Sequence, residues 1–356
     1  MKKTFRFDVL GGAILLCSTA WLPAAHAEQP LLDVAKTHFS PLPKVVESAE
    51  NPVTQEKVTL GQMLFFETRI SVDGAVSCAR CHLPNHYGGD ALKKSIGALG
   101  REHPFHSSTV LNSALHVASH WRGERANVEA QAVAALLGPP AFANPSLQAV
   151  EEKLRAIPGY RPLFEKAFPD DKEPVTAENF GKAVGAYERT LQTPGPFDDF
   201  LKGDENALSA EAKAGLRTFI DVGCVACHNG AAVGGGSFQK FGVFKDYWPV
   251  TGSDKPSKGR FDVTKKESDM YVFKVPSLRN VAMTPPYFHD GSVASLEQSI
   301  KIMGELQLGR TLSTQQISEI TAFLNALTGP LPENFATVPA LPPGPFLPYE
   351  QPAKAD

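Results

Sequence analysis

Apolar positions recur at helical spacing along most of the chain and alternate in strand fashion almost nowhere. Phe180, Val184, Tyr187 and Leu191 predict a helix with one apolar face. Ser209 is placed to cap a helix carrying Leu216, Phe219 and Ile220. Ser295 with Gln298, before Ile300, Ile302 and Met303, has the spacing of a capping box. Ser313 with Gln316 opens another helix, whose apolar face runs through Ile317, Ile320, Phe323, Leu324 and Leu327, and Gly329-Pro330 stops it. From Pro339 to Pro352 the proline-rich sequence predicts an extended, plainly flexible tail. The fold class expected is all-α.

The first segment reads as an address. Lys2, Lys3 and Arg6 precede a charge-free, mostly apolar stretch from Leu10 to Leu22, and Ala25-His26-Ala27 offers small residues for cleavage, the pattern of a secretory signal peptide over residues 1–27. That stretch is short for a membrane span, and no other apolar run is long enough. The expected mature protein is therefore exported to the periplasm with no membrane span. Removing residues 1–27 leaves 32 basic and 37 acidic residues, net −5, so the charge balance gives no argument for nucleic-acid binding. The length of 356 residues suits two domains.

Five cysteines are too few for a disulfide scaffold, and Cys17 falls within the signal segment. The other four form Cys78-Ala79-Arg80-Cys81-His82 and Cys224-Val225-Ala226-Cys227-His228. C-x-x-C-H is the attachment signature of c-type haem. Two thiols at this spacing can each bond one vinyl group, and the next histidine becomes the proximal iron ligand. A redox C-x-x-C needs no following histidine, and a zinc knuckle would not leave 142 residues between Cys81 and Cys224. Gly61, Phe65 and Phe66 precede the first motif much as Gly215, Phe219 and Ile220 precede the second, so the chain reads as two cytochrome c-like units in tandem with long connecting loops. The boundaries expected are 28–205 for the first, 206–332 for the second and 333–356 for the tail.

The ligand on the far face of each iron decides whether a haem only transfers electrons or also binds small molecules. Met303, 75 residues after His228 and followed by Gly304 and Gln307-Leu308-Gly309, is expected as that ligand at the second haem. No methionine is similarly placed for the first. His103, His106, His116 and His120 are the nearby candidates, although a lone histidine is more often structural.

The sequence resembles the bacterial dihaem cytochrome c peroxidases, which share a superfamily with MauG-type maturation enzymes. The resemblance rests on Leu60-Gly61 with Leu64-Phe65, both C-x-x-C-H motifs, Thr109-Val110-Leu111-Asn112, Trp121 with Gly123, and Gln131-Ala132. It continues through Phe197-Asp198 with Phe200-Leu201, Val275-Pro276-Ser277-Leu278-Arg279-Asn280, Pro286-Tyr287-Phe288-His289-Asp290-Gly291 and the Met303 to Gly309 segment. It implies an electron-entry haem on Cys224, Cys227, His228 and Met303, and a peroxidatic haem on Cys78, Cys81 and His82. Trp121 would pass electrons between them, and Gln131 would line the distal pocket. Backbone oxygens near Thr284 and Pro286 would help hold a calcium ion. The implied partners are hydrogen peroxide and a small cytochrome c or cupredoxin donor, and the family suggests a homodimer.

The chain departs from the family pattern at the first haem. Ala141, or Phe142 with a one-residue slip, stands where the family has its distal glutamate, and Ala98 stands where it has a displaceable histidine. Glu124 and Glu129 are the replacement acids considered, against a plainer reading as solvated helix charges. The function expected is peroxide reduction. The alternatives are a MauG-type oxidase acting on a protein partner, which has tyrosine where this chain has Met303, and a non-catalytic dihaem carrier or sensor.

Overall fold

The computed structural model describes residues 1–4 and 29–345, so the signal segment with Cys17 and the end of the tail lie almost wholly outside it. In chain order the helices are α1 (Leu31–His38), α2 (Gln55–Phe66), α3 (Cys78–Cys81), α4 (Val128–Leu137), α5 (Leu147–Arg155), α6 (Arg161–Ala167) and α7 (Ala177–Glu188). They continue as α8 (Pro196–Leu201), α9 (Ala210–Val222), α10 (Tyr247–Thr251), α11 (Phe261–Thr264), α12 (Leu296–Gln307), α13 (Thr314–Asn325) and α14 (Glu333–Ala336). Two short antiparallel strands, β1 (Phe238–Lys240) and β2 (Val272–Lys274), pair with Phe238 opposite Lys274. The architecture is helix-rich, with long irregular connections.

The expected caps form. Ser209 Oγ accepts from the Ala212 amide and Ser295 Oγ from the Gln298 amide. Ser313 and Gln316 close a reciprocal capping box. Each cap satisfies an amide that a helix start otherwise leaves without a partner.

Two hydrophobic cores result. One gathers α2, α4, α5, α6 and α7 around Leu60, Phe65, Phe164, Phe180 and Tyr187. The other gathers α1, α8, α9, α12 and α13 around Phe197, Leu216, Phe219, Ile302 and Phe323. The same device builds both. A Cβ at Gly61 would run into the Ala183 carbonyl of α7, and one at Gly215 into the Glu319 carbonyl of α13. Only glycine lets each helix pair cross so closely. The likeness extends further. The Asn112 amide donates to the Leu191 carbonyl, just past α7, and the Asn280 amide to the Leu327 carbonyl, just past α13. Both asparagines are left-handed, at φ 60° and 59°, and both side-chain amides donate to Thr193 Oγ at 2.8 Å. Thr193 thus joins equivalent corners of the two halves.

A second joint is ionic. Asp198 of α8 is fully buried and accepts two hydrogen bonds from Arg279, at 2.7 and 3.0 Å, and one each from the Leu42 and Gly195 amides. Arg279 Nε also donates to the Ala231 carbonyl, three residues past His228.

The free tail expected from Pro339 onward does not hold as far as residue 345, and the segment before it is docked as well. Phe335 is buried in the first core, and Arg69 donates to the carbonyls of Pro342 and Gly344. The apolar residues scattered among the prolines dock this segment, which composition alone did not reveal.

Candidate functional site

The second C-x-x-C-H motif opens onto a large, mostly apolar cavity. Gly223, at φ 102°, ends α9 in a left-handed cap and turns the chain directly into Cys224. Cys224, Cys227 and His228 line the cavity, and α12 brings Met303 to the same space. Burial keeps the His228 imidazole neutral by lowering its pKa to about 4, as an iron ligand requires. The ring is turned to the backbone of Val233 and Pro276, beside Gly234, which opposes that lowering only in part.

Trp121, Thr284 and Pro286 line this cavity too. The Trp121 indole N–H donates to the His106 carbonyl at 2.8 Å, which fixes the ring. Lys274 also faces the cavity, with Nζ 3.3 Å from His116 Nδ1 and no carboxylate within ion-pair range among the described residues. Burial lowers its ammonium to about 8, and His116 Nε2 is orphaned nearby. The donor set fits haem c. Two thiols can attach it, a neutral imidazole and a thioether can ligate its iron, and a buried cation suits its carboxylates.

The first motif lies apart from this cavity. Its two thiols are buried and held in the neutral form, Cys81 with its pKa pushed up to about 11. His82 Nδ1 lies 2.8 Å from the Gly88 carbonyl, which fixes the tautomer and leaves Nε2 for a metal. Burial lowers the His82 pKa, and the charges of His120 and His103 act in the same direction. Gln131, on α4, has a buried side-chain oxygen with no hydrogen-bond partner among the described residues, and the Ser95 hydroxyl lies against the Cys81 thiol. The two thiols and the oriented His82 imidazole also fit haem c.

The histidine candidates separate here. His103 and His120 meet edge to face with ring centroids 6.4 Å apart, and His120 Nδ1 lies 3.3 Å from Glu124. His106 is tied to the Leu92 carbonyl at 2.7 Å, and His106, His116 and His120 all line the second motif's cavity, His116 beside Lys274. The candidate acids are occupied as well. Burial opposes ionisation of Glu124, yet hydrogen bonds from His120 and Arg122 hold its carboxyl at about 2. Burial likewise opposes ionisation of Glu129, whose carboxyl is held low by Arg189 and Asn51. Both are partly buried ion-pair members, not solvated charges. Ala98 and Ala141 are directly joined, the Ala98 amide donating to the Ala141 carbonyl at 2.9 Å.

Sequence reasoning missed Glu188. It is buried at the end of α7, its charge is felt at Cys78, and burial raises its carboxyl to about 8. Only Ser113 Oγ, at 3.4 Å, bonds it among the described residues. Its neighbour Arg189 turns to Glu129 instead, which no sequence pattern reveals.

Comparison with known proteins bears on these centres. A sequence profile described as Di-haem cytochrome c peroxidase matches residues 55–206. The cytochrome c551 peroxidase of Nitrosomonas europaea is 42% identical over 296 residues, 83% of this chain and 86% of that protein. The cytochrome c551 peroxidase of Pseudomonas aeruginosa is 41% identical over 327 residues, 91% of this chain and 92% of that protein. The crystal structure of a MauG-like protein associated with microbial copper homeostasis superposes with a TM-score of 0.73 at 28% identity, covering 81% of this chain and 93% of that one. With this identity along most of its length, and two segments whose thiols and histidines suit haem c, the chain belongs to the di-haem cytochrome c peroxidase family of oxidoreductases.

Proposed function

We propose that this protein is an exported peroxidase that reduces hydrogen peroxide to water with electrons from a small cytochrome c or cupredoxin. Cys78, Cys81 and His82 would hold one haem c, and Cys224, Cys227, His228 and Met303 the other, each in its own half of the chain. When bound, these groups supply the iron that cleaves peroxide and stores electrons. The observation that supports the reading is that His228, Met303 and Trp121 line one cavity, where the first two would ligate an iron and the third would pass electrons.

The chain's own residues then have distinct tasks. His82 is oriented by Gly88, and Gln131 offers an unpaired oxygen to a polar ligand. Lys274 would neutralise a carboxylate at the second centre, with the neutral imidazole of His116 3.3 Å from its ammonium. Calcium at the Thr284 and Pro286 backbone, periplasmic location and a homodimer rest on the family resemblance. Among the described residues no helix is long and apolar enough to cross a membrane.

The likeness to a MauG-like structure favours a second reading, oxidation of a protein partner, and Met303 in place of the tyrosine expected there weighs against it. The test is steady-state peroxide consumption with reduced cytochrome c. Turnover supports the proposal, and its absence in both oxidised and half-reduced protein would sink it.

A further inference from the structure

The second core contains a run of aromatic rings of which the peroxidase reading uses only the first, Trp121. Trp121, at the cavity wall, packs against His289 with ring centroids 6.4 Å apart. His289 meets Tyr247 at 5.2 Å, Tyr247 meets Trp248 at 5.3 Å, and Trp248 meets Tyr271 at 4.9 Å. Tyr247 is fully buried, whereas Trp248 and Tyr271 are partly exposed. The path therefore leads from the cavity to solvent. The chain has three tryptophans, and both of those among the described residues lie on it. Rings elsewhere in the cores are mostly phenylalanine, which resists one-electron oxidation.

Tyr247 has what a buried phenol needs to be oxidised at moderate potential, a base for its proton. Its hydroxyl has one proton and two acceptors within reach, the Ser257 carbonyl at 3.1 Å and His289 Nε2 at 3.4 Å. Burial keeps His289 neutral, with its pKa lowered to about 4, so Nε2 can accept.

We propose that Trp121, Tyr247, Trp248 and Tyr271 form an exit path by which oxidising equivalents reach small phenolic reductants at the surface when no donor protein is bound. This rests on the peroxidase reading, since hydrogen peroxide is the oxidant. An electron passes from the Tyr247 ring to oxidised Trp121, the phenolic O–H bond breaks, and its proton moves to His289 Nε2. Trp248 or Tyr271 then returns an electron to Tyr247, which recovers the proton from His289. A phenol at the surface gives its electron to the exposed ring and its proton to solvent, which returns a proton to the peroxide. Two such transfers supply the two electrons and two protons that convert one peroxide to two waters. Transfer between rings in contact outpaces one long jump because tunnelling decays steeply with distance.

The experiment adds hydrogen peroxide to the holoprotein without a donor, freezes it for EPR, and maps oxidised residues by mass spectrometry. The wild type is expected to show a tyrosyl signal and oxygenation concentrated at Trp248 and Tyr271. Tyr247→Phe keeps the ring and should lose the signal and cut that oxygenation several-fold, with damage moving to Trp121. Trp248→Phe, at a partly exposed site, should slow peroxide-driven oxidation of guaiacol several-fold. Peroxide consumption with the same radical signal and oxidation map in the variants would overturn the exit alone. No peroxide consumption by any of the proteins would overturn both readings.

Discussion

Removing the Asp198 carboxylate should cost more stability than almost any other single side-chain change in the molecule. Asp198→Ala leaves Arg279 buried, 1% exposed, with no counter-charge, and strips the Leu42 and Gly195 amides of their acceptor. Breaking a buried ion pair from one side costs about 3–5 kcal/mol. The orphaned amides push the value to the upper end of that range, since each unsatisfied buried donor costs roughly 1–3 kcal/mol and such costs are not additive. At a few degrees per kcal/mol in a chain of this size, the melting midpoint should fall by about 10 °C. Because Arg279 also holds the Ala231 carbonyl, the loss should loosen the segment after His228. The assay is thermal melting of the holoprotein followed by far-ultraviolet circular dichroism and Soret absorbance. The double variant Asp198→Ala/Arg279→Met removes the stranded charge and should recover a large part of the loss. A single variant that loses under about 1 kcal/mol, or a double variant that loses the sum of the two singles, would refute the coupling.

Three further outcomes follow from the geometry. Met303→Ala should move the second haem to high spin and lower its potential strongly, and an unchanged absorption spectrum would refute the ligand assignment. Gly215→Ala drives a methyl into the Glu319 backbone and should destabilise by about 1–3 kcal/mol, while Gly236→Ala, with open space around it, should stay within about 0.5 kcal/mol in denaturant titration. The Glu188 carboxyl is raised from 4.5 to about 8, so between these values the unfolded chain ionises it and the folded chain does not. This contribution to stability is greatest below pH 4.5 and declines as pH rises to about 8. Glu188→Gln should therefore stabilise the protein increasingly across that window, which paired melts at several pH values would reveal.

The centres were legible in the sequence to different depths. Cys78, Cys81, His82, Cys224, Cys227 and His228 announce haem attachment because the chemistry needs those residue types at a fixed short spacing. The helices were legible for a related reason, since caps such as Ser209 and Ser313 and apolar periodicity are local signals. Gly61 and Gly215 hinted at a repeat, but the hint said nothing of what crosses them.

Long-range proximity was decided only by the tertiary structure. It brought Met303 and Trp121 to the cavity of His228, and it closed Asp198 on Arg279 across 81 residues. It turned Glu124 and Glu129 from candidate acids into ion-pair members, and it buried Glu188 without a cation although Arg189 is its neighbour in sequence. It also assembled Trp121, His289, Tyr247, Trp248 and Tyr271 from separated segments. The physical reason is common to all of these. Spacing within one motif fixes covalent and helical geometry, whereas the charge, protonation and redox role of a side chain depend on neighbours that only packing supplies.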